Sequence, residues 1–184
     1  YFREGLRDAE GVYHLSFRRE PFGGGYALAC GLATALELLE NFGFNEEETY
    51  CVPSLKCSHR LPLFDGDFLD YLRTMGFSCD VDAMEEGQVT FAHEPLLRIR
   101  GPLIQWQLLE TPLLNCINFE TLIATKAARI CLAAQGEPVL EFGLRRAQGV
   151  DGAVSASRAA VVGGCDSTSN VLAGKLFDLP VKGT

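Results

Sequence analysis

The chain has no excess of basic charge, no long apolar run and no paired CxxC cysteines, and each absence closes off a class of function. Sixteen Lys+Arg stand against 24 Asp+Glu for a formal charge of −8, whereas a phosphate backbone is held by clustered basic side chains. No nucleic-acid partner is expected. The longest nonpolar stretches, around Tyr26 to Leu36 and Gly101 to Ile104, fall short of the roughly 20 residues a bilayer-spanning helix needs. No membrane span is expected. Tyr1-Phe2-Arg3-Glu4-Gly5 shows neither a signal peptide's basic and apolar regions nor an initiating Met, so the chain reads as a fragment of a longer protein. There are seven cysteines, an odd number at wide spacing, which fits a reducing cytoplasm. Cys51, Cys57 and His59 could supply three zinc ligands, but no fourth is evident and free surface-loop thiols are the expected reading.

What is present is enough apolar material, 47% of 184 residues, for about one domain with a real core. Charge is unevenly spread: 9 basic and 19 acidic residues up to position 125, then 7 basic and 5 acidic from Lys126 onward. A site for an anionic small molecule is therefore sought in the last third. Tyr13, Leu15 and Phe17 alternate with polar neighbours as in a half-buried strand. Leu28, Leu32, Leu36 and Leu39 recur at helical spacing and predict a helix over 26–41. The acidic run Glu46-Glu47-Glu48 reads as a solvated loop or helix start. Asp65 or Asp67 can cap a short helix that stops at Gly76, and strands are expected near 78–83, 87–92 and 96–100. Thr111-Pro112 is a cap-then-N1 pair, predicting one short helix to Leu109 and another from Pro112, with a further helix from Glu120 to Ala134. Beyond it the pattern predicts strand 139–144, helix 152–162, helix 170–177 and strand 181–184. This alternation belongs to βα units of a parallel sheet or barrel, although a closed barrel needs about eight strands.

In such architectures ligands lie beyond the carboxyl ends of the strands. Arg145, Arg146 and Gln148 follow the first strand, and guanidinium forks there suit phosphate or carboxylate capture; an ion pair with Glu141 or Asp151 is the alternative. Gly163-Gly164-Cys165-Asp166-Ser167-Thr168-Ser169-Asn170 gathers amides and hydroxyls before a helix, either to face an anion or, through Ser167 or Thr168, simply to cap that helix. Gly183-Thr184 closes the last strand.

These segments, Glu141-Phe142-Gly143-Leu144-Arg145-Arg146-Ala147-Gln148-Gly149, Asp151-Gly152-Ala153, the Gly163–Lys175 run and Pro180-Val181-Lys182-Gly183-Thr184, strongly resemble the nicotinate phosphoribosyltransferase family. Phe17-Arg18-Arg19, Pro21-Phe22-Gly23-Gly24-Gly25-Tyr26, Phe68-Leu69-Asp70-Tyr71-Leu72, Glu94-Pro95-Leu96-Leu97 and Gln107–Asn115 are similar to it as well. The resemblance implies an α/β class: an α+β N-terminal domain (1–110), then linking helices and the first strands of an irregular type II phosphoribosyltransferase α/β barrel (111–184), incomplete here. It implies a cytoplasmic homodimer that makes nicotinate mononucleotide from nicotinate and phosphoribosyl pyrophosphate in NAD salvage, with Mg²⁺ and with ATP hydrolysis coupled through a phosphohistidine. Phe142 matches the residue stacking on the pyridine ring, Arg145 an arginine reaching the phosphoribosyl phosphates, Asp166 the acid facing the base in the related nicotinamide enzyme, and Thr184 a threonine of the nicotinate pocket. No catalytic residue and no metal ligand is expected within these 184 residues. The family's phosphohistidine lies just beyond Thr184 and its cross-dimer tyrosine before Tyr1, while His14, His59 and His93 match no catalytic histidine. A fragment of this kind is expected to be inactive alone. A non-catalytic dimerisation or regulatory module, and a nicotinamide or quinolinate enzyme, are the alternatives.

Overall fold

The computed structural model describes all residues other than Glu46, Glu48, Tyr50, Cys51 and Thr184. The expectations for the acidic run, for a Cys51 ligand and for Thr184 thus fall partly or wholly outside the described residues. The described architecture is of the mixed α/β class: two antiparallel sheets and a parallel strand pair gathered around one long helix.

Strand β1 (Glu10–Leu15) pairs antiparallel with β5 (Leu97–Pro102), which also pairs with β3 (Asp80–Ala83). The period-2 pattern of β5 sets its two faces. Leu97 and Ile99 are buried, whereas Arg98 and Arg100 point outward and meet Asp82 at 2.6 Å and Glu10 at 3.6 Å. A second antiparallel pair joins β2 (Ala27–Leu28) to β4 (Val89–Thr90). The helix predicted over 26–41 is therefore shorter, because its first residues are drawn into this ladder. Helix α1 (Leu32–Glu40) starts only after Gly31, whose φ of 97° belongs to the left-handed region that a side chain disfavours. Helix α2 (Gly66–Arg73) begins after Asp65, but the Asp65 carboxylate bonds Arg3 instead of capping the helix.

Helix α3 (Leu103–Ala133) is the spine of the molecule. The sequence pattern predicts a break at Pro112, yet the helix runs through it. Proline removes an N–H and crowds the preceding turn, but Leu109 and Leu113, on either side, are both buried against Leu97, Ile99, Ala35 and Leu39. Packing on both flanks outweighs the local cost. The boundary expected between 110 and 111 lies inside this helix. Farther along, Thr121 and Thr125 face β2, accepting from the Cys30 N–H at 3.2 Å and the Leu28 N–H at 2.8 Å. Tyr13 of β1 stacks on Trp106 at 3.7 Å between ring centroids.

A second cluster unites Leu69, Leu72, Met75 and Ile104 with Phe2, Phe64 and Phe68. The C-terminal third adds β6 (Leu140–Glu141), helix α4 (Val150–Val162), β7 (Ser167–Thr168) and helix α5 (Val171–Phe177). β6 and β7 run parallel, and Val181 forms a parallel bridge to Thr168. The strand expected over 139–144 is only two residues long, because the chain turns at once into a short helical turn at Leu144–Arg146. Helix α4 lies on α3 through small residues, Ala159 against Ala124 and Ala160 against Ala127.

Gly163 ends α4 where a Cβ would sit 2.4 Å from the Ala124 carbonyl oxygen and 2.7 Å from the Ala127 methyl. Its φ of −75° is ordinary, so space alone demands glycine. Gly163→Ala should destabilise the protein by at least about 1–3 kcal/mol through overpacking, read as a lowered urea midpoint at unchanged m-value. An unaltered midpoint would show that the two helices can part freely.

Candidate functional site

The carboxyl ends of β6, β7 and the Val181 bridge converge, each followed by a loop. The parallel ladder is sealed by the Ser169 N–H on the Glu141 carbonyl at 3.0 Å and the Lys182 N–H on the Thr168 carbonyl at 3.0 Å. Phe142 leaves β6 half-buried, with no aromatic partner among the described residues. Arg145 and Arg146 follow in the helical turn, both exposed, and neither forms an ion pair there. The alternative pairing with Glu141 or Asp151 is thus absent among the described residues. One turn later Gly149 opens α4, whose amino end adds partial positive charge on the same side.

Glu141 explains why the arginines stay free. Its carboxylate accepts from the Gly143 N–H, from Thr168 Oγ1 at 2.6 Å and from Ser157 Oγ at 3.0 Å. The Ser157 proton is shared with the Ala153 carbonyl at 2.8 Å. Asn170 caps α5 by accepting from the Ala173 N–H at 3.2 Å and donates to Ser157 Oγ at 3.2 Å. The Thr168 hydroxyl and the Asn170 amide are therefore used within the fold, whereas Ser167 Oγ is buried without a hydrogen-bond partner.

Asp166 does not join Phe142 and Arg145. It precedes β7, and its carboxylate accepts from the N–H of Val139, the residue preceding β6, at 2.8 Å. Since the strands are parallel, this is their amino end, opposite the convergent loops. A carboxylate at the start of β7 is the natural partner for the unpaired amide of the neighbouring strand's start, which the linear sequence did not show.

A second polar cluster lies behind the site, on the inner side of α4. Arg158 Nη1 reaches Glu86 at 3.0 Å and Glu120 at 3.3 Å, and Nη2 also bonds Glu86. Glu86 further accepts from the N–H groups of Gly31 at 2.7 Å and Ala33 at 3.5 Å, capping α1 where Gly31 has no side chain to do so. Thr34 Oγ1 donates to Glu120 at 2.5 Å. Burial pushes the Glu86 carboxyl up, but the Arg158 hydrogen bond and charge, with the two α1 amides, outweigh it and hold it below the ordinary range. For Glu120, which is 1% exposed, burial wins, and its carboxyl lies above that range despite Thr34 and Arg158. Arg158 is held above its ordinary value by the Glu86 hydrogen bond first.

Cys30 Sγ stands 3.8 Å and 3.9 Å from these two carboxylates, the one group of three metal-ligating side chains among the described residues. It does not fit a cation. Arg158 already supplies the positive charge, and burial with the two acids pushes the Cys30 thiol up to about 12, so it stays protonated. Cys57 and His59 lie in a turn closed by the Arg60 N–H on the Cys57 carbonyl, with no third ligand gathered among the described residues. The sequence reading placed Glu120 at a helix start and Arg158 in a segment resembling the family but gave neither a role, although a signal existed. Leu109, Leu113, Ile117, Glu120 and Ala124 form one helical stripe, and a carboxylate on a buried stripe demands a cation.

A family model described as nicotinate phosphoribosyltransferase (NAPRTase) N-terminal domain matches residues 1–118. The chain is similar to nicotinate phosphoribosyltransferase 1 of Arabidopsis thaliana, at 47% identity over all of this chain and 32% of that protein. It is similar to the Homo sapiens nicotinate phosphoribosyltransferase at 44%, over all of this chain and 34% of the relative. The crystal structure of the human nicotinic acid phosphoribosyltransferase superposes with a TM-score of 0.90, covering 100% of this chain and 36% of that one. A nicotinate-nucleotide pyrophosphorylase from Pyrococcus furiosus gives 0.75 at 26% identity, over 100% and 38% of the respective chains. The chain thus spans about a third of the length of the curated relatives it matches.

The Arg158 cluster generates two predictions. Arg158→Ala strands a buried Glu120 charge and should cost about 3–5 kcal/mol, the usual penalty for halving a buried ion pair, measured by urea unfolding at neutral pH. Glu86 has a depressed folded-state pKa, so its stabilisation is present above the ordinary carboxylate value and is lost as pH falls through the folded one. Glu86→Gln should therefore be least stable relative to the parent at neutral pH, with the gap closing in acid. A gap that widens in acid would contradict the assignment.

Proposed function

The chain belongs to the nicotinate phosphoribosyltransferase family, and on that footing we propose that the complete protein joins nicotinate to phosphoribosyl pyrophosphate in NAD salvage. The pyridine nitrogen attacks the anomeric carbon; the new N–C bond replaces the C–O bond to pyrophosphate, which departs with the bonding electrons. The products are nicotinate mononucleotide and pyrophosphate. One observation carries this reading on the present residues: two unpaired guanidiniums follow a half-buried phenylalanine at the carboxyl end of a parallel strand, beside a helix amino end.

In this reading the Phe142 ring supplies an apolar face on which the pyridine ring lies offset. Arg145 offers a planar fork to the phosphoribosyl phosphates, with Arg146 raising the local positive potential. Thr184 lies outside the described residues and enters this reading only through the motif that matches the family's nicotinate-pocket threonine. Asp166 has no place in it, since its carboxylate is engaged at the other end of the strands; its removal from the pocket also spares nicotinate the repulsion of a second carboxylate. Mg²⁺ and ATP belong to this proposal as partners of the complete protein. Mg²⁺ would screen the pyrophosphate, and ATP hydrolysis would drive the equilibrium. The Cys30, Glu86 and Glu120 group does not fit Mg²⁺, so no step is assigned to a metal held by these residues. A homodimer in the cytoplasm is the assembly and location proposed. No helix among the described residues is long and apolar enough to cross a membrane.

Arg145→Ala in the complete protein should raise KM for phosphoribosyl pyrophosphate and lower kcat/KM by about 10²-fold or more, as expected for loss of a charge-assisted bidentate contact. Steady-state assay of nicotinate mononucleotide formation checks it. Unchanged kinetics would remove Arg145 from the site, and absence of product from the parent protein would overturn the function itself.

A further inference from the structure

We propose that Glu141 is a positioning residue for the Phe142–Arg145 segment, acting through a three-donor clamp on its carboxylate; this rests on the function proposed above. Its acceptor sites are filled by the Gly143 N–H in its own turn, by Thr168 on the neighbouring strand and by Ser157 on α4. Those three anchors fix the turn that carries Phe142 and Arg145 relative to the next strand and to the helix behind it. The backbone repeats the link, because the Glu141 carbonyl accepts from the Ser169 N–H.

Three features show that the clamp is built for a carboxylate. First, Gly143 has an ordinary φ of −84°, yet a Cβ there would lie 2.7 Å from Glu141 Oε1. Its missing side chain admits the acid. Second, the three partners are arranged as donors to Glu141: the Gly143 amide N–H can only donate, the Thr168 hydroxyl donates at 2.6 Å while accepting from Asn170, and the Ser157 hydroxyl shares its proton between Glu141 and the Ala153 carbonyl. The Asn170 N–H donates to Thr168 Oγ1 at 3.0 Å and its side-chain amide to Ser157 Oγ. An acceptor-only group suits this set, whereas a glutamine would turn its own NH₂ toward a donor. Third, no cation neutralises Glu141 among the described residues, although Arg145 and Arg146 follow within five positions. With its lone pairs occupied by neutral donors, the carboxylate does not capture Arg145, and the guanidinium remains available to an incoming anion.

The test uses the complete protein and compares Glu141→Gln, Thr168→Val and Thr168→Ser with the parent. Positioning predicts that Glu141→Gln and Thr168→Val raise KM for both nicotinate and phosphoribosyl pyrophosphate and lower kcat/KM by about 10- to 100-fold, the scale of an ångström-level misplacement. Thr168→Val also leaves the buried Asn170 N–H without its acceptor, so its thermal midpoint should fall and kcat/KM is taken per folded molecule, whereas Thr168→Ser, which restores the hydroxyl, should recover both. Since Val matches Thr in shape, Thr168→Val decides the matter even if Glu141→Gln fails to fold. Variants whose kcat/KM per folded molecule stays within twofold of the parent, or a Thr168→Ser that recovers nothing, overturn the proposal. A parent protein that forms no product overturns the function beneath it instead, and the two failures are thereby distinct.

Discussion

Arg158 holds together carboxylates that arrive from two otherwise separate parts of the chain, Glu86 from the turn before β4 and Glu120 from the middle of α3. A lone buried carboxylate costs several kcal/mol, and the attraction to a guanidinium offsets it only when the remaining lone pairs are bonded as well. Here they are. Glu86 takes the amides at the start of α1, Glu120 takes the Thr34 hydroxyl, and the guanidinium faces the Phe177 ring at 5.8 Å. One ion network thereby fixes α1, α3, α4 and the turn before β4 in a single arrangement. An apolar replacement of similar volume could be equally stable, but it would not specify which helix turn meets which amide.

The network also sets what α4 can present on its other side. Arg158 faces inward, and Ser157, its neighbour, reaches Glu141 at the strand end. The small residues along the α3–α4 contact bring the helices close enough for both to happen, with Gly163 closing the contact where even a methyl is excluded. The candidate site at the parallel strand ends is thus backed by an anchor in the N-terminal half, while the arginines at the front stay unpaired.

Legibility in the sequence followed the range of the deciding interaction. The alternation of Leu97 and Ile99 with Arg98 and Arg100 announced β5 and its buried face, because a strand's period is written into adjacent residues. Helix α4 was readable from the glycines after it and α5 from the polar run before it, but the cap of α5 is Asn170 and not the Ser167 or Thr168 hydroxyl that the run suggested. The continuity of α3 through Pro112 was not, since the local rule against interior proline is overridden only by partners 10 to 80 residues away. The early half of the helix predicted over 26–41 failed for the same reason, being claimed by β4. In the candidate site Phe142 and Arg145 share one turn, as their closeness in the sequence implies. The displacement of Asp166 to the amino end of β7 depended on a strand partner 27 residues off.

By itself the amino-acid sequence determined the α/β class, the acidic net charge, the period of each long element and the segments that resemble the family. All of these follow from composition and from residues within a turn or two of each other. Tertiary structure alone decided which charges neutralise one another and which remain free. Burial and distance set whether a carboxylate bonds an amide, a hydroxyl or a guanidinium, and those are properties of chain segments that meet only after folding. Glu141 beside Arg145 looks like an ion pair in one dimension; in three, Gly143, Ser157 and Thr168 occupy the acid, and Arg145 is left unpaired.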